Sequence, residues 1–389
     1  MTRVSTTAVA GLLFAAMTAA SGCSTTVADG GASSSGATST TPEAPTSRAT
    51  GALTAWNALP ALPVARGNHC SVVANGYLVV IGGNHKPKGA KDFVTVADVH
   101  VAKLDADGNA GQWKLAGKLA SPVSSCTAAT DGKDVYVVDG IFDDAAVSAD
   151  PKKNTVLRAS LADDGTLGAW TEMGALPDGV RILYSDATVE GGALRAFFAR
   201  LPDNGDGIAL ATAPVENGAT LGAWQSSTWL PGFRGHPQYA LAKPEGAKGA
   251  SYIYALGGYA SGDKGNAVLA DGAGAALDLE GVPGKSFPVR ALPKPTSFGK
   301  AVAIDDWLFV IGGKDEVLTG KGRSDVFAAH IEAGGALGEW KVVAAMPEGR
   351  TSHAVAAHGD LVYVTGGGFD AGGLDTVWSA RVRTAPPAR

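Results

Sequence analysis

The chain has 389 residues, including 53 glycines and 20 prolines, and its formal net charge is −5 at pH 7. It carries no block of basic residues, which argues against nucleic acid as a partner. The glycine and proline content, with few long helix-forming runs, favours β structure. The length exceeds that of an ordinary domain with a single core, which indicates either several domains or a repeat architecture.

Residues 1–22 have the features of an export signal. Arg3 precedes an apolar stretch at residues 8–20 that is too short for a permanent membrane span, and small residues 20–22 directly precede Cys23. This resembles a bacterial lipoprotein signal peptide, in which Cys23 becomes the lipidated first residue. The alternative is an ordinary secretory signal with an incidental cysteine. Because Ser24 rather than an aspartate follows, we expect lipid anchoring in the cell envelope, at the outer membrane, on its periplasmic or surface side.

Residues 23–50 are dominated by Ser, Thr, Gly, Ala and Pro and contain almost no large apolar residue. Such a segment buries too little surface to offset its chain entropy, so we expect a disordered linker after the lipidated cysteine.

A short apolar run that ends in glycine recurs through residues 51–383. It reads YLVVIGG at residues 77–83 and returns at residues 135–140, 252–258, 307–313 and 361–367. A spaced tryptophan, usually within LGxW, is the second marker, at Trp56, Trp113, Trp170, Trp224 and Trp340. Trp56, Trp113 and Trp170 follow one another at 57 residues, and the 116 residues between Trp224 and Trp340 span two steps. These spacings predict six units of about 55 to 58 residues.

Each unit divides into four strand-length segments separated by turns. In unit 1 we predict strand a at residues 68–74, strand b at 77–81, strand c at 96–104 and strand d at 111–115. Asn75-Gly76 is a hairpin turn between strands a and b. Strand b is apolar on both faces, as expected for a strand buried between neighbouring units.

The diglycine after an apolar run, the spaced tryptophan and the Pro-x-x-Arg segment at residues 63–66 and 347–350 resemble the kelch-type β-propeller, and the LGxW variant resembles bacterial kelch-like lipoproteins. The resemblance implies an all-β, six-bladed kelch-like β-propeller with four-stranded antiparallel blades at residues 51–383, followed by a tail at 384–389. Unit 3 lacks the diglycine and unit 4 lacks the tryptophan, so these two departures put blades 3 and 4 in doubt.

The connections differ in length between the two faces of such a propeller. The a–b and c–d turns are tight, whereas the b–c connections are long, and the d–a segments lie on the same side as the b–c connections. Long loops on a rigid scaffold usually carry function. We therefore expect the face formed by the b–c and d–a connections, here called the loop face, to bind the partner.

The d–a segments bring arginine and histidine side chains toward the predicted mouth of the central channel. These residues are Arg66, His69, Arg181, Arg234, His236, Arg350 and His353. An arginine ring suits carboxylates and phosphates, because the planar guanidinium binds them with two parallel hydrogen bonds. The alternative is structural: kelch-like blades commonly use an arginine here to bond carbonyls of a neighbouring blade.

No catalytic or metal-binding signature is present. The segment at residues 105–109 resembles the start of a calcium loop but lacks the required glutamate, so a c–d turn is the better interpretation. His85, Asp143, Asp144 and Asp370 lie on the predicted loop face without metal-ligand spacing. We predict no metal, no cofactor and no catalytic residue.

Two further cysteines lie in consecutive units. Cys70 and Cys126 each precede the glycine of an a–b turn by six residues, which suggests matching places on neighbouring inner strands. Export would let a Cys70–Cys126 disulfide persist, and two buried free thiols are the alternative.

The first residues of the repeat region are predicted to complete the last blade of the propeller. Unit 6 has no LGxW segment of its own after strand c, but residues 51–56 match residues 165–170. We expect residues 53–56 to supply the outer strand of the last blade and so to remove an open sheet edge.

Two functions are compatible with these features. The first is an envelope-tethered, monomeric scaffold without catalysis, which binds an envelope protein or a glycan through the loop face and touches the membrane only through its lipid. The second is a carbohydrate-active enzyme such as a sugar-acid epimerase or lyase, by resemblance to bacterial periplasmic kelch propellers that act on sialic acids. The second requires accessible arginines at the channel mouth.

Overall fold

The computed structural model describes residues 48–142, 155–176, 183–200, 207–245, 249–262, 265–317, 321–368 and 372–385. Within these ranges the strands form six four-stranded antiparallel blades, and the molecule is a β-propeller. The predicted signal peptide, Cys23 and Arg181 lie outside the described residues. The propeller extends slightly beyond the predicted limits, since its first strand begins at Arg48 and its last ends at Ala385.

The four strands of each blade run from the channel outward as a, b, c and d. Strand a of blades 1 to 6 is Cys70–Ala74, Val123–Thr130, Leu183–Glu190, Gln238–Ala242, Lys300–Ile304 and Ala354–His358. Strand b is Tyr77–Ile81, Asp134–Phe142, Ala193–Arg200, Ser251–Leu256, Trp307–Ile311 and Leu361–Thr365. Strand c is Asp98–Lys103, Thr155–Ser160, Gly207–Glu216, Gly272–Leu277, Val326–His330 and Val377–Ala385. Strand d of blades 1 to 5 is Lys114–Lys118, Thr171–Ala175, Gln225–Pro231, Phe287–Val289 and Lys341–Val342.

Among the described residues, two small hairpins, one short strand and one 3-10 turn lie outside this pattern. The b–c connections of blades 1 and 4 form hairpins of their own, which pair Asn84–His85 with Val94–Thr95 and Tyr259–Gly262 with Gly265–Val268. Thr220–Leu221 pairs with strand c of blade 3, and Ala333–Gly335 is a single 3-10 turn.

The core lies between the blades rather than in one centre. Strand b of blade 1 is buried along its whole length, and Val79 and Ile81 pack with Val123 and Val137 of blade 2. Similar apolar clusters join the other neighbours. A strand that is apolar on both faces is therefore explained by contact with a blade on each side.

The diglycines let neighbouring blades approach closely. Gly82 has φ 59° and Gly83 φ 92°, and a side chain on Gly82 would collide with Val123 of blade 2. The N–H of Gly83 donates a 2.7 Å hydrogen bond to the carbonyl of Val123. Only glycine combines this backbone conformation with such close contact, which explains why the marker recurs.

The spaced tryptophans of blades 1, 3 and 5 tie the outer strand to the preceding blade. The indole N–H of Trp113 donates to Pro60 O at 2.8 Å, Trp224 to Ala175 O at 2.8 Å, and Trp340 to Arg290 O at 3.0 Å. Each tryptophan lies immediately before strand d rather than within it, so strand d of blade 1 begins three residues later than the sequence predicted. The partly buried rings fill the gap between blades where it widens with distance from the axis.

The N-terminal segment closes the ring. Arg48–Leu53 and Asn57–Leu59 both pair antiparallel with strand c of blade 6, Val377–Ala385. Between them, Trp56 donates its indole N–H to Ala344 O of blade 5 at 2.8 Å. Blade 6 thus takes its outer strand from the other end of the domain, as predicted, although in two short pieces, and of the expected residues 53–56 only Leu53 belongs to one of them.

Candidate functional site

The channel is narrowed at the loop face by a belt of residues that lie just before strand a or, in blade 2, within its first residues. These residues adopt positive φ angles in the five blades where this position is described: Asn68, Ser125, His236, Phe298 and Ser352. Backbone hydrogen bonds link them from blade to blade, from Ser125 N to Asn68 O at 2.7 Å, Asn68 N to Ser352 O at 2.9 Å and Ser352 N to Phe298 O at 3.1 Å. The belt could not be predicted from the sequence, because its members share a conformation and not a residue type.

The arginines of the d–a segments bond to backbone carbonyls of the diglycines. Arg66 donates from Nη1 to Gly82 O at 2.9 Å, and Arg350 from Nη1 to Gly366 O at 2.6 Å. Arg234 contacts Gly257 O at 3.1 Å and forms an ion pair with Asp271 at 2.5 Å. The side chain of each of these three arginines donates to acceptors in its own blade. The structural alternative had placed the acceptor carbonyls in a neighbouring blade, and this is corrected.

The two innermost arginines have no exposed surface. Arg66 and Arg350 are each 0% exposed, and burial lowers the pKa of both to about 10. The backbone carbonyls of the same two residues accept from the diglycines of the preceding blades, Gly367 N to Arg66 O at 2.9 Å and Gly313 N to Arg350 O at 2.8 Å. Arg66 and Arg350 therefore join the diglycines of consecutive blades and do not form the open ring that a carboxylate would need.

The three histidines are close to the channel axis and are neutral. His69 shares a 2.8 Å hydrogen bond with Thr365 Oγ1 of blade 6. Burial, followed by the charge of Arg350, lowers the pKa of His353 to about 3, and burial holds the pKa of His69 and His236 well below the usual range. Groups with such low pKa values do not supply positive charge to a ligand at neutral pH.

Cys70 and Cys126 form a disulfide between strands a of blades 1 and 2, with Cα atoms 5.5 Å apart. Counted from the belt, the two cysteines do not occupy matching positions in their strands, although their equal distance from the a–b turn had suggested that they do. Cys70 follows the belt residue Asn68 by two positions, whereas Cys126 follows the belt residue Ser125 by one. Successive side chains of a strand point to opposite faces, so this offset of one residue lets the two cysteines face each other.

The channel is a cavity of about 540 Å³ between the six strands a. It remains open because strand a carries small side chains at the wall, among them Ala128, Ala187, Ala240, Ala301 and Ala356. Its lining includes the ends of strands a next to the a–b turns, so the channel opens on the face opposite the loop face. It continues toward the belt as spaces of only about 40 and 80 Å³. This location differs from the predicted mouth.

An ion pair crosses the channel where it narrows. Lys300 Nζ of blade 5 lies 3.9 Å from Asp186 Oδ2 of blade 3, and each side chain is 33% exposed. Asp186 Oδ1 accepts from the N–H of Ala187 at 2.9 Å, which fixes the carboxylate. Neither residue belongs to a motif, so the pair could not be predicted from the sequence.

The loop face carries apolar and aromatic groups. Phe93 is 36% and Val94 45% exposed in the hairpin of blade 1. On blades 4 and 5, the half-buried rings of His236 and Phe298 stack with centroids 3.7 Å apart, and Tyr259 lies 6.3 Å from Phe298. His85 belongs to the blade 1 hairpin, whereas Asp143, Asp144 and Asp370 lie outside the described residues.

The described part of the chain contains no cluster of three or more His, Cys, Asp or Glu side chains that could hold a metal ion. Asp105 Oδ1 accepts from the N–H groups of Asp107 at 3.0 Å and Asn109 at 2.8 Å, so this carboxylate closes the c–d turn of blade 1. No helix among the described residues is long and apolar enough to cross a membrane.

Comparison with known proteins adds no relative. No protein-family model matches the chain, and no curated protein matches its sequence. The likeness of the repeats to kelch propellers therefore depends on the motifs alone.

Proposed function

We propose that the protein is a non-catalytic scaffold of the bacterial cell envelope that binds an envelope protein or a glycan through its loop face. The observation that carries the proposal is the exposure of Phe93 and Val94 on the hairpin between strands b and c of blade 1. A rigid propeller that holds exposed apolar side chains on a long connection is suited to partner binding. The aromatic group formed by His236, Tyr259 and Phe298 offers a second contact region on this face.

The kelch-like repeats and the lipoprotein-like segment support the envelope location. We propose that Cys23 carries a lipid and that residues 24–47 tether the propeller to the membrane. A lipidated cysteine would leave the propeller itself free of membrane contact.

A variant with Cys23→Ser tests this tether. We expect it to move from the detergent phase to the aqueous phase in detergent phase separation of whole cells, whereas the wild-type chain stays in the detergent phase. Unchanged partition of the variant would contradict lipid anchoring.

The enzyme alternative has no specific support at the mouth. It needs arginine side chains that can reach a sugar acid, and Arg66 and Arg350 are fully buried on backbone carbonyls. Arg181 lies outside the described residues. We therefore do not propose an epimerase or lyase activity.

Capture experiments with face-specific variants test the binding proposal. The full-length chain is used to capture envelope proteins and to probe a glycan array, and it is compared with Phe93→Ser/Val94→Ser and with Tyr259→Ala. We expect a protein partner to be lost with the first variant and a glycan with the second.

The matched control is Leu279→Ser. Leu279 is 100% exposed and follows strand c of blade 4, on the side of the c–d turns, so its replacement removes a large apolar side chain from the other face. Capture that survives both loop-face variants, or that is lost equally with Leu279→Ser, would contradict the proposal.

A further inference from the structure

The central channel has the properties of a small-molecule pocket that the loop-face proposal does not use. Its volume of about 540 Å³ falls within the range of about 300–1,000 Å³ usual for ligand pockets. It is wide at the a–b turns and narrow at the belt, so a ligand would enter from the face opposite the loop face.

The wall of the channel has both polar and apolar parts. Every described blade contributes small or branched apolar side chains from strand a, such as Val72, Ala128, Ala240, Val302 and Val355. These side chains leave the lumen open instead of filling it, and they suit an apolar body of modest size.

The narrow end of the channel offers one ammonium and one carboxylate side by side. Lys300 Nζ and Asp186 Oδ2 are 3.9 Å apart, which is too long for a hydrogen bond. An ammonium has three donors and a carboxylate about four acceptor positions, so each retains capacity for a further group. A ligand anion can accept from Lys300 while a neighbouring ligand donor reaches Asp186.

The surrounding charges favour an anion at Lys300. His69, His236 and His353 surround this end and are neutral, because burial lowers the pKa of each. After burial, the positive charges of Arg66, Arg350 and Lys300 lower the pKa of His69 further, so these cations lie near this end of the channel.

At the wide end of the channel, carboxylates are at least as numerous as ammonium groups. Glu190 pairs with Lys243 at 2.6 Å, and Asp305 lies beside the opening. A carboxylate is therefore better placed at Lys300 than at the rim, which orients the ligand with its anionic end inward.

We propose that the channel binds a small carboxylic acid with an apolar body and a hydrogen-bond donor on the carbon next to the carboxylate, that is, an α-hydroxy or α-amino acid. Lys300 binds the carboxylate, Asp186 accepts from the hydroxyl or ammonium, and the alanine- and valine-rich wall covers the apolar body. This site is separate from the loop face and does not depend on the function proposed there.

Calorimetric titration of the purified full-length chain with four related probes tests the site. The probes are phenyllactate, phenylalanine, 3-phenylpropionate, which lacks the donor, and phenylalaninamide, which lacks the carboxylate. We expect the first two to bind, 3-phenylpropionate to bind about five-fold more weakly because one hydrogen bond is lost, and phenylalaninamide not to bind.

Variants assign the two ends of the ligand. Lys300→Met is expected to weaken phenyllactate binding by more than about ten-fold, because a charged hydrogen bond is lost. Asp186→Ala is expected to remove the difference between phenyllactate and 3-phenylpropionate. Ala301→Leu narrows the channel without changing its charge and should weaken all acids, and Ala128→Leu provides a second such variant if Ala301→Leu does not fold.

Lys118→Met is the matched control, since Lys118 also pairs with an aspartate, Asp98 at 3.2 Å, but lies on outer strand d of blade 1; this variant should leave affinity unchanged. The proposal is overturned if neither phenyllactate nor phenylalanine binds at millimolar concentration. It is also overturned if the Lys300→Met variant, shown to be folded by its melting curve, binds them as the wild type does.

Discussion

At the scale of single residues, Arg350 shows what a repeated arginine does in this fold. Its side chain donates to Gly366 O at 2.6 Å, Thr376 O at 2.9 Å and Thr376 Oγ1 at 2.5 Å, while its own carbonyl accepts from Gly313 of blade 5. One residue therefore fixes the end of strand b, the start of strand c and the neighbouring blade. Such a group is placed for stability, because its Nη1 and Nη2 atoms donate within the protein.

We expect Arg350→Met to lower the free energy of unfolding by about 3 kcal/mol, because it leaves buried carbonyls without a donor. The exposed Arg383 is the control, and Arg383→Met should change the free energy of unfolding by less than about 0.5 kcal/mol. Chemical denaturation of both variants measures the difference. If Arg350→Met is as stable as Arg383→Met, then the arginine is not structural and a ligand role has to be reconsidered.

At the scale of elements, the inner strands were the easiest to predict and the outer strands the hardest. Strand b of blade 1 has the predicted limits, residues 77–81, since its apolar run and following diglycine mark both its burial and its end. Strand d is as short as Phe287–Val289 or Lys341–Val342. The position of strand d is set by its pairing with strand c. A stretch of two or three residues is too short to show a hydrophobic pattern that would predict this pairing.

The site was predicted less well than the strands, for related reasons. Arg66, Arg234 and Arg350 lie in d–a segments as predicted, but a sequence does not show whether a guanidinium turns toward a carbonyl or toward the channel. The channel depends on the alanines of strands a, which look like ordinary strand residues until six of these strands are brought together. The offset between Cys70 and Cys126 follows from the belt, whose members share only a positive φ.

At the scale of the whole molecule, the ring is closed by contact between its two ends. Leu53 is 5% exposed and packs in the cluster of blades 5 and 6 that includes Phe309, Val364 and Val382. Gly51 has φ 72° and lies against the ring of Trp307, whose indole N–H donates to Ala49 O at 3.0 Å. The N-terminal strand thus contributes both to blade 6 and to its junction with blade 5. Without it, strand c of blade 6 would become an open sheet edge.

We expect Leu53→Ala to lower the free energy of unfolding of the full-length chain by about 3 kcal/mol, the usual cost of removing a buried leucine side chain. Leu279→Ala is the matched control, because Leu279 is 100% exposed, and it should have an effect below about 0.5 kcal/mol. Deletion of residues 51–57 should lower the melting temperature further than Leu53→Ala, since it removes pairing as well as packing. If Leu53→Ala and the deletion variant both melt within about one degree of the wild type, these residues do not close the ring, because a loss of about 3 kcal/mol shifts the midpoint by several degrees.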